Sequence, residues 1–137
     1  MRAKLSFSIF LMLFVLACSE TNDFEQYALF DITGYWINQQ LNDTVYTYEK
    51  SAELVEGQYC FGFKENGEFI EHKNSGPCAT PPISYADFLG SWTIKDSIVE
   101  IDVEFWGGMA HYKWKIISVD EQHMSLLEIE SDHEIQE

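Results

Sequence analysis

The stretch from Ile98 to Ile117 constrains this chain more than any other, because two runs of strict alternation flank Trp106-Gly107-Gly108-Met109. Gly-Gly is one of the few pairs that accept positive φ at both central positions of a two-residue hairpin loop. Pairing outward from a Gly107-Gly108 turn sets Glu104 against His111, Asp102 against Lys113 and Glu100 against Lys115, acid against base each time. The other face sets Val103 against Tyr112, Ile101 against Trp114 and Val99 against Ile116, all apolar. A slip of one residue would exchange the faces and destroy both sets. The segment therefore predicts an antiparallel sheet with one dry and one wet face. In this reading the glycine hairpin is a structural turn and not a binding loop.

The neighbouring segments extend that sheet. A two-residue turn at Asp96-Ser97 pairs Ile94 with Val99 and Trp92 with Ile101, which predicts a three-stranded meander over Gly90 to Ile117. A second hairpin spans Gln58 to Asn74. A three-residue turn with a bulge at Gly67 pairs Phe63 with Phe69 and Lys64 with Glu68, and is preferred because a two-residue turn would oppose Glu65 to Glu68. Tyr35 to Gln40 and Thr44 to Lys50 are the first two strands expected, the second rich in β-branched and aromatic residues. A last strand is expected around Met124 to Glu130, with a bulge where Leu126-Leu127 breaks the alternation. Asn74 to Tyr85 holds all three prolines and reads as a loop, Asp87 to Leu89 as a short helical turn, and the polar tail from Ser131 as fraying. Asp31-Ile32-Thr33-Gly34-Tyr35-Trp36 is echoed by Asp87-Phe88-Leu89-Gly90-Ser91-Trp92, which suggests two half-sheets of similar construction.

The N-terminus reads as a targeting segment. Arg2 and Lys4 form a basic start, Leu5 to Ala17 an apolar run, and Val15-Leu16-Ala17-Cys18 a small-residue end. The run is short of the roughly 20 residues that span a bilayer. Val-Leu-Ala-Cys resembles the lipobox of bacterial lipoproteins, which implies a signal peptide over 1–17 and lipidation, with palmitate among the acyl chains, at Cys18. Ser19 rather than Asp after the cysteine implies sorting to the outer membrane, facing the periplasm or the exterior. Residues 18–29 are then a lipidated tether, 30–131 the folded domain and 132–137 a polar tail.

Without Arg2 and Lys4 the chain keeps six basic and 23 acidic residues, a net charge of −17. Nucleic acid and anionic lipid would be repelled, so the membrane partner is reached through the acyl chains. With Cys18 lipidated, Cys60 and Cys78 remain in an oxidising compartment. Their spacing is wider than that of a C-x-x-C metal or redox pair and points to a structural disulfide closing a loop of about 18 residues, worth roughly 3 kcal/mol on the chain-entropy model.

Eight short strands without a long helix suggest an antiparallel barrel or sandwich. Gly34-x-Trp36 resembles the opening motif of the lipocalin superfamily. The order Phe61-x-Phe63, Asn66-Gly67, Gly90-x-Trp92, Asp96-Ser97 and Trp114-x-Ile116-Ile117 resembles the lipocalin-like domains of small bacterial lipoproteins. The loop Asn74 to Pro82 carries a Gly-x-Cys-x-Thr-Pro-Pro element similar to that of uncharacterised members. The resemblance implies an all-β, antiparallel up-and-down β-barrel of about eight strands, lipocalin-like (calycin), whose interior in some members holds a small apolar ligand. The longer lipocalin signatures are absent, so no particular ligand carries over.

Trp36, Phe61, Phe63, Trp92, Ile101, Phe105, Tyr112 and Trp114 are the expected barrel interior or ligand pocket. The rings either fill the barrel or leave room for one small ligand. His72, His111, His123 and His133 lie on different elements without ligand-pair spacing, and no nucleophile elbow, phosphate loop or dinucleotide fingerprint occurs. No catalytic residue, metal or cofactor is expected. Two readings follow: a small-molecule binder, or an envelope interaction or inhibitor module with a filled barrel whose partner is another envelope protein. An interior cavity of roughly 300 Å³ or more separates the first from the second.

Overall fold

In the computed structural model, which describes residues 31–136, the alternating stretches form eight antiparallel strands, with no helix among the described residues. They are β1 (Gly34–Asn42), β2 (Val45–Ser51), β3 (Cys60–Phe63), β4 (Glu68–Asn74), β5 (Tyr85–Lys95), β6 (Ile98–Phe105), β7 (Gly108–Val119) and β8 (His123–Ile135). The strands close into a barrel in the order β1-β2-β8-β7-β6-β5-β4-β3. From β3 to β8 each strand pairs with the next, up and down. The β1–β2 hairpin closes the gap, with β1 against β3 and β2 against β8. Residues 52–59 therefore carry the chain from β2 past β1. The expected signal peptide, Cys18 and the tether lie outside the described residues.

Two predicted turns have the predicted register. Ile94 lies opposite Val99 and Trp92 opposite Ile101. Phe63 lies opposite Phe69, Lys64 N–H donates to Glu68 C=O at 2.9 Å, and Gly67 takes φ of 84°. The glycine hairpin differs. Phe105 pairs with Gly108, so the turn is Trp106-Gly107 and the register is two residues from the one expected. Val99 meets Trp114, Ile101 meets Tyr112 and Val103 meets Ala110. A two-residue slip preserves both faces, which is why alternation alone does not exclude it.

A strand beyond the hairpin fixes the register. Gly108 has φ of 151°, and a Cβ there would sit 2.0 Å from the Glu134 carbonyl oxygen of β8. Gly107 has no positive φ, and a Cβ there would meet only the Phe105 ring. The acid–base logic survives with different partners. Lys113 lies between Glu100 and Glu130, at 3.8 and 3.1 Å, and His111 Nδ1 meets Asp102 at 2.5 Å. Donation from its ring N–H to the Asp102 carboxylate raises the His111 pKa above the ordinary histidine value.

Other elements run longer than expected. Asp87 to Leu89 is extended strand within β5, paired with His72 to Ile70, and not a helical turn. The polar tail does not fray at Ser131: β8 continues to Ile135 because Gly108 to Lys113 supply a partner strand. The Gly-x-Trp echo is not structural. Gly34 opens β1 at φ of 118°, whereas Gly90 lies inside β5, where a Cβ would come within 2.1 Å of the Asp102 carbonyl oxygen.

The expected disulfide is absent, and both cysteines are free thiols. Cys60 faces outward from β3 but is fully buried, accepting from Val55 N–H and donating to Val55 C=O. Cys78 is exposed in the proline loop. The Cys60 thiol is engaged with the backbone of the 52–59 connection, whereas Cys78 lies in the separate proline loop.

We predict that Gly108→Val lowers the denaturant midpoint of the purified protein strongly, since strain in that φ region costs about 1–3 kcal/mol before the backbone clash is added. Gly107→Ala and Lys113→Ala should shift it far less. Equal midpoints for Gly108→Val and the native chain would contradict this register.

Candidate functional site

The barrel interior has two parts with different chemistry. At one end Trp36, Phe61, Phe63, Phe69, Val99, Ile101, Ile116 and Met124 are almost wholly buried. Phe61 lies 4.8 Å from Tyr48 and 5.1 Å from Trp114, and Phe63 lies 5.1 Å from Phe69 and 5.2 Å from Trp92, centroid to centroid. Ile32, ahead of β1, tucks into this floor, and its carbonyl accepts the Trp36 indole N–H at 2.8 Å. Large rings at contact distance leave this end solid.

The other end is hollow. A cavity of about 470 Å³ opens to solvent, walled by Tyr46 and Tyr48 of β2, Tyr59 ahead of β3, Glu71 and Lys73 of β4, Tyr112 and Trp114 of β7, and Leu126 and Glu128 of β8. A second recess of about 330 Å³ adjoins it and shares Lys73, Asn74, Tyr112 and His133, with Phe105 and Trp106 on its far side. The size lies within the range of small-molecule sites, roughly 300 to 1,000 Å³.

Bulges decide which side chains face this space. Between Ile37 and Gln40 the β1–β2 register shifts, with Asn38 at φ of 54°. That left-handed residue, tolerable for Asn, turns Gln39 inward, where its amide donates to the Tyr48 hydroxyl at 2.9 Å. A second shift leaves Ile129 unpaired in β8, Trp114 meeting Glu128 and Lys113 meeting Glu130. Up to that bulge Met124, Leu126 and Glu128 face inward; after it Ser131 and His133 do. A third shift on β7 leaves Ile117 exposed and returns Val119 to the core.

On the cavity wall, polar groups converge. Glu71 is 2 % exposed, and the Tyr59 hydroxyl donates to its Oε1 at 2.8 Å. Its Oε2 receives the Lys73 ammonium and, at 3.4 Å, the Tyr112 hydroxyl. Lys73 Nζ also donates to the Tyr112 oxygen at 3.2 Å. Burial, reinforced by the Glu71 charge, raises the pKa of Tyr59 and Tyr112, and burial raises that of Tyr48. These phenols keep their protons and act as donors. The expected interior of eight aromatic and apolar residues held no charged side chain, and that expectation is corrected. Glu71 and Lys73 escaped it because β4 is short and mixes Phe69 with charged residues on one face.

The eight residues expected inside separate along the same division. Trp36, Phe61, Phe63 and Ile101 fill the floor, and Trp92 packs at its edge with its indole N–H on the Lys64 carbonyl at 3.0 Å. Tyr112 and Trp114 line the main cavity, stacked 5.5 Å apart, and Phe105 lines the adjoining recess. Tyr46, Tyr48, Tyr59 and Leu126 of the wall were missed. For Tyr46 and Tyr48 the alternation was visible and only its direction was not.

A second cluster lies outside the barrel, where Cys60, His72 and Asp87 stand side by side on β3, β4 and β5. His72 Nδ1 meets Asp87 at 2.6 Å and the ring stacks on Tyr85. The row has the residue types of a thiol nucleophile with its base, but Cys60 is bonded to Val55 and burial raises its pKa, so the reactive thiolate is disfavoured. Among the described residues no three His, Cys, Asp or Glu side chains are placed to hold a metal ion. Searches of protein-family models, of curated proteins and of solved structures each found no match to this chain.

Proposed function

We propose that this protein is a lipid-anchored envelope protein that binds a small molecule in the mouth of its barrel without turning it over. The observation that carries the reading is the cavity of about 470 Å³ above a solid aromatic floor. Recesses of similar volume lie elsewhere on the surface, but this one is walled by inward side chains of β2, β4, β7 and β8. Binding fits the chemistry of the buried cluster better than catalysis: Glu71 is ion-paired with Lys73, and Tyr59 and Tyr112 are held protonated, so these groups supply neither a free base nor a nucleophile. The wall is amphipathic, with Leu126, Trp114 and tyrosine faces for an apolar body and hydroxyls for a polar group. Anchoring through Cys18 and sorting to the outer membrane rest on the Val-Leu-Ala-Cys site and Ser19.

Two measurements test this. Mass spectrometry of protein extracted from the envelope should find an acylated mature N-terminus at Cys18; an unmodified terminus elsewhere rejects the anchor. Calorimetric titration of the full-length protein in a neutral detergent with 2-naphthylmethanol, corrected by a detergent blank, should show one saturable site. Ser131→Trp places a ring at the mouth and should abolish it without lowering Tm. Heat that does not saturate, or that survives Ser131→Trp, rejects the cavity as the site.

A further inference from the structure

We propose that the mouth cavity is built for a molecule carrying an ammonium group, and that the Lys73 side chain is its tethered stand-in; this rests on the cavity being a ligand site. The evidence is what surrounds the Lys73 ammonium. Its nitrogen lies 5.4 Å from the centroid of Phe88, 5.6 Å from Tyr112 and 6.0 Å from Phe105. The Glu71 carboxylate and the Tyr112 hydroxyl complete the shell. Three ring faces and a carboxylate around one nitrogen are the elements by which proteins recognise cationic amines.

Charge makes the exchange selective. Glu71, 2 % exposed, is a buried carboxylate that requires a counter-charge. Lys73 is the penultimate residue of β4, and its flexible stem lines both recesses, so its ammonium has a path to solvent. Once it leaves, neutrality at Glu71 requires another cation or a proton, and an ammonium ligand supplies the first without the cost of protonating the carboxylate at neutral pH. A neutral ligand must leave Lys73 in place, and an anion would meet Glu71 and Glu128. Among the described residues Lys73 and His133 are the only basic side chains lining either recess, on a chain whose full sequence carries a net charge of −15, and that field concentrates cations. Tyr46, Tyr48, Trp114 and Leu126 would enclose the apolar body of such an amine.

Three probes with one ring system decide the matter: 2-naphthylmethylamine, 2-naphthylmethanol and 2-naphthoate, titrated into the full-length protein at neutral pH. The native protein should bind the amine about tenfold more tightly than the alcohol, and the carboxylate most weakly. Lys73→Met removes the tethered competitor and should tighten the amine by a further factor of about ten while leaving the alcohol within about twofold. The amine should also raise the Tm of that variant. Replacing both charges, Glu71→Gln with Lys73→Met, keeps the wall neutral and should erase the preference for the amine. The ammonium proposal is overturned if the carboxylate binds best, if Lys73→Met weakens the amine, or if the double variant keeps the preference. Binding of the alcohol with no advantage for the amine defeats this proposal alone; binding of none of the three, in the native protein or in Lys73→Met, defeats the cavity reading with it.

Discussion

Everything inside this barrel depends on the period-two alternation of side chains and on the three places where a bulge resets it. A strand can offer the interior only every second residue, so one inserted residue transfers all that follow to the opposite face. At Asn38 the reset brings Gln39 to Tyr48; at Ile129 it brings Ser131 and His133 to the mouth; at Ile117 it returns Val119 to the core. Without the Ile129 bulge the far half of β8 would present Glu130 and Asp132 inward, beside Glu71. The cavity would then hold carboxylates facing one another instead of a hydroxyl and an imidazole.

The two ends of the interior are stabilised differently. The floor is held by ring contacts and by removal of Trp36, Phe61, Phe63 and Phe69 from water, each worth roughly 1.5–3 kcal/mol or more by area. The mouth spends part of that stability on a charged pair. Burying an ion costs several kcal/mol, recovered only where geometry and extra hydrogen bonds are good. Tyr59 and Tyr112 supply those bonds to Glu71, and the rings of Phe88, Phe105 and Tyr112 face the Lys73 ammonium. A wholly apolar filling would serve stability at least as well, and the proposed recognition of an ammonium group gives the pair a reason to be there.

The strands β6 and β7 were legible because their outer faces repeat a charge pattern and their inner faces an apolar one. The turns at Asp96-Ser97 and at Gly67 were legible because few residues tolerate the required φ. The glycine hairpin was misplaced by two residues because the constraint on Gly108 comes from the Glu134 carbonyl, on a strand 26 residues away in sequence. The polar wall was hidden for the same kind of reason. Glu71 and Lys73 share the face of Phe69 but alternate with Ile70 and His72, so polarity does not mark the inner face of β4; Phe61 and Phe88, paired with Glu71 from β3 and β5, do. The disulfide was inferred from cysteine count and compartment, whereas the fold turns Cys60 toward Val55.

A solid floor below a hollow mouth predicts unequal costs for removing rings of similar size. Phe63, 1 % exposed among Phe61, Phe69, Trp92 and Trp114, should cost about 3–5 kcal/mol on truncation to alanine. Tyr46 is partly buried with the cavity on one side, so its truncation forfeits fewer contacts and should cost about 1 kcal/mol. Denaturant melts of Phe63→Ala and Tyr46→Ala measure both directly. A loss for Tyr46→Ala as large as that for Phe63→Ala would mean that the mouth is packed like the floor, and that no ligand site exists there.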